Sequence, residues 1–155
     1  MEIAQEAMAH LTQLGAEIDG AIRTFPDELW RRPAKGENPL GTPCFLAHHT
    51  VWCMVLEHLL RIPAEELPHN VYPDYGPDME ITQENLLALH GEIQAYAAKV
   101  YGKMSNEDYL TVDERGMSPI GRIMYTIAHT RHHYGQLVQI LRDNGLEDPD
   151  WYPLR

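Results

Sequence analysis

The sequence predicts an all-α fold, a four-helix bundle. Three observations carry this: four long segments hold apolar residues near helical spacing, two of them open on a hydroxyl–proline pair, and no stretch alternates like a half-buried strand. The chain has 155 residues, 44% of them hydrophobic and 23% charged, which suits one globular domain over residues 1–155 with a core of its own. Neither an internal repeat nor a domain linker interrupts it. Long amphipathic segments joined by loops of this size pack by default as a helix bundle.

The first helix is expected from about Glu2 to Arg23, with Ile3, Met8, Leu11, Leu14, Ile18 and Ile22 near helical spacing, and Phe25-Pro26 ends it. The stretch from Trp30 to Gly41 carries Pro33, Gly36 and Pro39 and reads as a loop. Thr42-Pro43 opens the second helix, a capping hydroxyl followed by proline at the first helical position, and Ile62-Pro63 stops it just after Arg61. A long connection with Pro68, Pro73, Gly76 and Pro77 leads to a third helix from near Thr82 to about Met104. Ser118-Pro119 opens the fourth, which runs to Arg142 with Gly145 placed to close it. The tail from Asp148 to Arg155 is expected to be extended and pinned by Trp151.

Composition excludes several classes of function. No apolar run approaches the roughly 20 residues that span a bilayer, and Met1 to Glu6 lacks the basic start and apolar block of a signal peptide. The formal charge of −11 argues against a nucleic-acid partner, whose binders present basic patches. Cys44 and Cys53 would lie on different parts of one helix, so no disulfide is expected between them. That usage suits a reducing, cytoplasmic compartment.

The conspicuous residue is histidine, with nine copies. Each residue turns about 100° around a helix. Phe45, Leu46, Trp52, Cys53, Leu56 and Leu60 then fall within about 60° of His49, which is expected at the middle of an apolar face, with Thr50, Met54, Glu57 and His58 opposite. On the fourth helix His129 and His133 are one turn apart on one side, sharing their stripe with Arg122, Gln136 and Ile140. Such a pair clamps a metal ion at two points, and a histidine from a facing helix completes the set. Three neutral imidazoles leave positions open for water or substrate, which is the catalytic rather than the closed structural pattern.

Other readings stand beside this one. His49 alone can be a hydrogen-bonded core residue, and Cys53, one turn further on, can be a soft fourth ligand or a small buried thiol. Arg122 can steer an anionic substrate or stand exposed. His10, His58, His69 and His90 carry no assigned role. Gly121, Ala128 and Gly135 form a smooth stripe of small residues, expected to receive a close neighbour within the bundle or in a dimer.

The segment Ile127-Ala128-His129-Thr130-Arg131-His132-His133-Tyr134-Gly135-Gln136-Leu137 resembles the last-helix motif of the DinB-like (YfiT-like) family: histidine, three residues, histidine, a variable residue, glycine, glutamine. Ala47-His48-His49-Thr50-Val51-Trp52 is similar to that family's second-helix segment, and Gly145 and Trp151 resemble the closing segment of one subgroup. The resemblance covers essentially the whole chain. It implies an up-down-down-up bundle, often dimeric, with a metal held by three histidines at one end. By position these are His49, His129 and His133; the second-helix match can also run through His48, and the face argument selects His49. Tyr134 stands where many members have arginine, so that arginine's role has no counterpart here.

These expectations combine into a divalent-metal-dependent enzyme, a thiol-dependent S-transferase or a hydrolase. Zinc or nickel is the first candidate ion and iron or manganese the next. Gln136 orients the bound group, the substrate is a small molecule or low-molecular-weight thiol, and the protein is a homodimer without nucleic-acid or membrane partners. The competing expectations are a small-ligand-binding module without turnover, its pocket against the connection of residues 68–77, and a structural dimeric bundle.

Overall fold

The computed structural model describes residues 2–31, 42–59, 81–114 and 116–149. The helix stop at Ile62-Pro63, the 68–77 connection and Trp151 lie outside them. The described residues are helical, with no strand among them, in the order α1 (Ile3–Thr24), α2 (Asp27–Trp30), α3 (Pro43–Leu59), α4 (Gln83–Tyr101), α5 (Asn106–Leu110) and α6 (Pro119–Asp143). The four long helices begin within a few residues of the expected positions, and α1, α4 and α6 also end there; the local chemistry explains why. Thr42 Oγ1 accepts from the Phe45 amide at 3.3 Å, Thr82 from Asn85 at 3.1 Å, and Ser118 from Gly121 at 3.3 Å, so each start signal satisfies an amide the helix cannot. At the far end of α6, Gly145 adopts φ 72°, and the amides of Gly145 and Leu146 return to the carbonyls of Arg142 and Leu141. That is a Schellman closure, which glycine enters without steric penalty.

Two short helices were not read from the sequence. Asp27–Trp30 follows Phe25-Pro26 directly, and its Trp30 ring is buried with Nε1 donating to the Ile81 carbonyl at 2.7 Å. Asn106–Leu110 carries a capping box between Ser105 and Asp108. It delivers Tyr109, fully buried, whose hydroxyl donates to the Tyr101 carbonyl at 2.8 Å.

The long helices close a ring: α1 packs on α6, α6 on α3, α3 on α4, and α4 back on α1. The larger core cluster includes Leu14, Ile18 and Ile22 of α1, Val51 of α3, Ile93 of α4 and Leu137 of α6; a smaller one gathers Leu11, Ala97, Tyr109 and Ile123. Gln83 ties α4 to the end of α1, donating to the carbonyls of Ile22 and Phe25 at 2.5 and 2.9 Å. Among the described residues no helix is long and apolar enough to cross a membrane.

The orientation of α3 corrects the sequence reading. Its buried face runs through Ala47, Thr50, Val51 and Met54, whereas Phe45, His49, Trp52 and Cys53 are only half-buried. His49 therefore stands at the rim of the buried face, not at its middle. Because α3 contacts both α4 and α6 and is apolar around much of its circumference, its sequence pattern does not single out one face. Thr50 can be fully buried because its hydroxyl donates to the Leu46 carbonyl at 2.7 Å.

Among the described residues no neighbouring helix packs on the small-residue stripe of α6. Ala128 is exposed, a methyl group at Gly135 would meet nothing within 4 Å, and one at Gly121 would meet only Met117 and Ser118 at 3.4 Å. The stripe lies across the helix from His133 and so faces away from the core.

Candidate metal centre

α6 sets two histidines by its own geometry: residues four apart project from the same side one turn apart. His133 is buried and His129 half-buried. Their Nε2 atoms are 3.1 Å apart and their ring centroids 4.5 Å apart, nearly perpendicular. The packing of α3 on α6 adds His49, whose ring centroid lies 4.8 Å from that of His133 and 5.6 Å from that of His129. One ring nitrogen from each of the three lies within 4.8 Å of the others.

Electrostatics keep His49 and His129 ready to act as ligands. Burial pushes the His49 pKa below its ordinary value, and the charge of His133 pushes it the same way. His129 is lowered by burial first, then by His133, His49 and His132. His48, buried on the neighbouring face, is lowered by burial and then by His49. A neutral imidazole is the form that binds a metal. These shifts have a stability consequence. For His48, His49 and His129 the folded pKa lies below the ordinary value of 6.5, so in acid the unfolded chain binds more protons than the folded one. Stability of the metal-free protein is expected to fall as the pH drops through 6.5 and to keep falling until the lower folded-state values are passed. Urea melts at a series of pH values read this directly, and the loss should shrink when His49 and His129 are replaced together by alanine.

Gln136 enters as a support for a histidine. Its Oε1 lies 2.6 Å from His133 Nδ1, so the amide carbonyl accepts the Nδ1 proton and leaves the Nε2 lone pair facing His129 and His49. The sequence placed Gln136 on this stripe but did not show that it acts through His133. Tyr125, one turn before His129, stacks on that ring at 5.8 Å between centroids and 9° between planes. Its i, i+4 spacing was a signal the sequence reading missed. Cys53 Sγ lies 3.6 Å from His49 Nε2 and stands outside the cluster of three. Arg122 is neither exposed nor free to steer an anion: it is buried, and its Nη2 donates to Asp113 Oδ2 at 2.5 Å.

The donor set fits a divalent ion. Tetrahedral nitrogens at about 2.0–2.1 Å from one ion stand about 3.3 Å from each other, close to the 3.1 Å between the Nε2 atoms of His129 and His133. The half-buried rings of His49 and His129 put the cluster at the edge of the interior, within reach of a small molecule from solvent.

Fold and site together define a class: all-helical proteins in which three histidines from two packed helices form a candidate metal site. The chain belongs to the DinB superfamily, whose sequence pattern matches residues 10–137. No curated protein matches it.

Proposed function

We propose that this protein is a divalent-metal-dependent enzyme acting on small molecules, a thiol-dependent S-transferase first and a hydrolase second. The observation that carries this reading is the convergence of His49, His129 and His133, with one ligand nitrogen of each within 4.8 Å of the others. These three residues would hold the ion, zinc or nickel before iron or manganese. When bound, such an ion supplies a Lewis-acidic centre that turns a thiol or water into a nucleophile at neutral pH. Every other part of the task falls to the chain. Burial and mutual repulsion keep His49 and His129 neutral, and Gln136 fixes the ring of His133 and its tautomer. Three nitrogen donors leave positions for a substrate.

The test is turnover. Zinc- and nickel-loaded protein is assayed with cysteine and 1-chloro-2,4-dinitrobenzene for thiol transfer, and with p-nitrophenyl acetate for hydrolysis, each beside the His133→Ala variant. A metal-dependent rate lost in the variant supports the enzyme. Stoichiometric metal without turnover in an extended panel of electrophiles and esters supports a binding module.

As a positioning residue, Gln136 has its own signature. Gln136→Leu is expected to weaken metal affinity about 10- to 100-fold, the range for removing a hydrogen-bond partner of a ligating histidine. Gln136→Glu keeps an acceptor at that place and should restore most of it. Competition with a chromogenic chelator measures both.

The reading also places the protein in the cytoplasm as a homodimer. The stripe of half-buried Gly121 and exposed Ala128 and Gly135 is the proposed contact face, flanked by exposed Met124 and Tyr125. Sedimentation of wild type and Ala128→Arg tests this.

A further inference from the structure

Across the bundle from the three histidines, α1 and α4 enclose a second group of polar side chains. His90 is fully buried, with Nδ1 2.7 Å from Asp19 Oδ1 on α1. With the Nδ1 proton donated to that carboxylate, Nε2 accepts from the amide nitrogen of Gln94, which lies 3.2 Å from Nε2 and 3.3 Å from Nδ1. The helices approach closely enough that a methyl group at Gly15 would sit 2.3 Å from that amide nitrogen. Glycine there gives the amide its place beside the ring.

His90, Gln94 and Thr12 are the polar side chains among the described residues that line a cavity of about 320 Å³, whose apolar walls include Leu11 and Leu14 of α1, Met54 of α3 and Ile93 of α4. That volume falls at the lower end of small-molecule pockets, roughly 300–1,000 Å³, and an apolar body with a few convergent polar groups is their usual construction. The charge of the surroundings narrows the ligand. A carboxylate head group would enter near Asp19, in a chain of formal charge −11, with no cation among the described residues that line the cavity. A hydroxyl meets no such repulsion and matches the half-buried amide of Gln94, which can accept through Oε1 and donate its second N–H while fully buried His90 holds that amide in place.

We infer that the α1–α4 cavity is a binding site for a small neutral amphipathic molecule, an alcohol or phenol, with its hydroxyl at the Gln94 amide that His90 holds and its apolar body against Leu11, Leu14, Ile93 and Met54. None of the three clustered histidines lines the cavity, so the site does not depend on the metal.

The test is methyl NMR of the full chain, labelled at methionine, leucine and isoleucine, titrated with 4-ethylphenol and, separately, octanoate. It is run without metal and again with zinc. Saturable shifts at Leu11, Leu14, Ile93 and Met54 are expected with 4-ethylphenol in both conditions, with octanoate binding at least tenfold more weakly. Ala97→Leu fills the cavity and should weaken 4-ethylphenol at least tenfold. Should that variant fail to fold by circular dichroism, Thr12→Trp at the exposed rim covers the mouth and leaves the core alone. Absence of saturable shifts, shifts centred on the three histidines, equal affinity for octanoate, or full affinity in the folded blocking variants each overturns the assignment. Because the readout is binding without metal, its failure is distinct from failure of the enzymatic reading.

Discussion

Wild type is expected to take up about one metal ion per molecule and to melt higher on adding zinc, and alanine at His49, His129 and His133 together is expected to abolish both. A ligand that binds only the folded state stabilises it by about 2.7 kcal/mol at a hundredfold excess over its dissociation constant. For a chain of this size that is a shift of about 5–10 °C. In the triple variant the shift should vanish, because no nitrogen of the cluster remains. Helicity should persist, since the Thr42, Thr82 and Ser118 caps and the Gly145 closure are untouched. Elemental mass spectrometry on tag-free protein gives the stoichiometry and thermal melts give the shift. A triple variant that keeps stoichiometric metal removes these residues as ligands. Wild type that takes up no metal even after reconstitution leaves a DinB-superfamily bundle without this centre.

The second large effect concerns a buried charge between α1 and α6. Glu17 is fully buried, while the Arg131 side chain is 36% exposed. Arg131 Nη2 donates to Glu17 Oε1 at 3.2 Å, and Nη1 lies 3.1 Å from Oε2 as an ion pair without hydrogen-bond alignment. Gln13 donates to Oε1 as well, at 3.0 Å. Arg131→Ala strands a carboxylate in the interior. Breaking a buried pair in this way costs about 3–5 kcal/mol. The solvent reaching Arg131 and the surviving bond from Gln13 put the expected loss at the low end, about 3 kcal/mol. The melting temperature should fall by roughly 6–12 °C. Replacing both partners, Glu17→Met with Arg131→Leu, should recover most of this, because apolar residues of similar volume often match a buried ion pair in stability. A urea double-mutant cycle separates the two cases. If the double variant is as unstable as the single one, packing rather than the stranded charge explains the loss.

Much of the fold was legible because helix boundaries are local. A capping hydroxyl at Thr42, Thr82 or Ser118 meets an amide three residues away, and the Gly145 closure spans only a few positions. The capping box at Ser105 and Asp108 was equally local and was missed because it opens a helix of only five residues. The histidine pair of α6 was legible for the same reason: one turn of helix brings two rings together whatever surrounds them.

The third histidine marks where that legibility ends. His49 was selected as the centre of an apolar face, yet the core took Ala47, Thr50, Val51 and Met54 and left His49 at the rim beside α6. The residue was the one the structure brings to the pair, but the face argument behind it did not hold. Arg122 with Asp113, Glu17 with Arg131, and Asp19 with His90 were invisible for a related reason: the last two join residues 114 and 71 positions apart. By itself the sequence determined the four long helices, the caps that open α3 and α6, the Gly145 closure and the metal-clamp spacing on α6, since each is set by atoms within a turn or two of backbone. Only the tertiary structure decided which faces are buried, which charges are paired and that His49 completes the cluster. Those outcomes depend on how helices remote in sequence share one interior, where desolvation makes every polar group find a partner or weaken the fold.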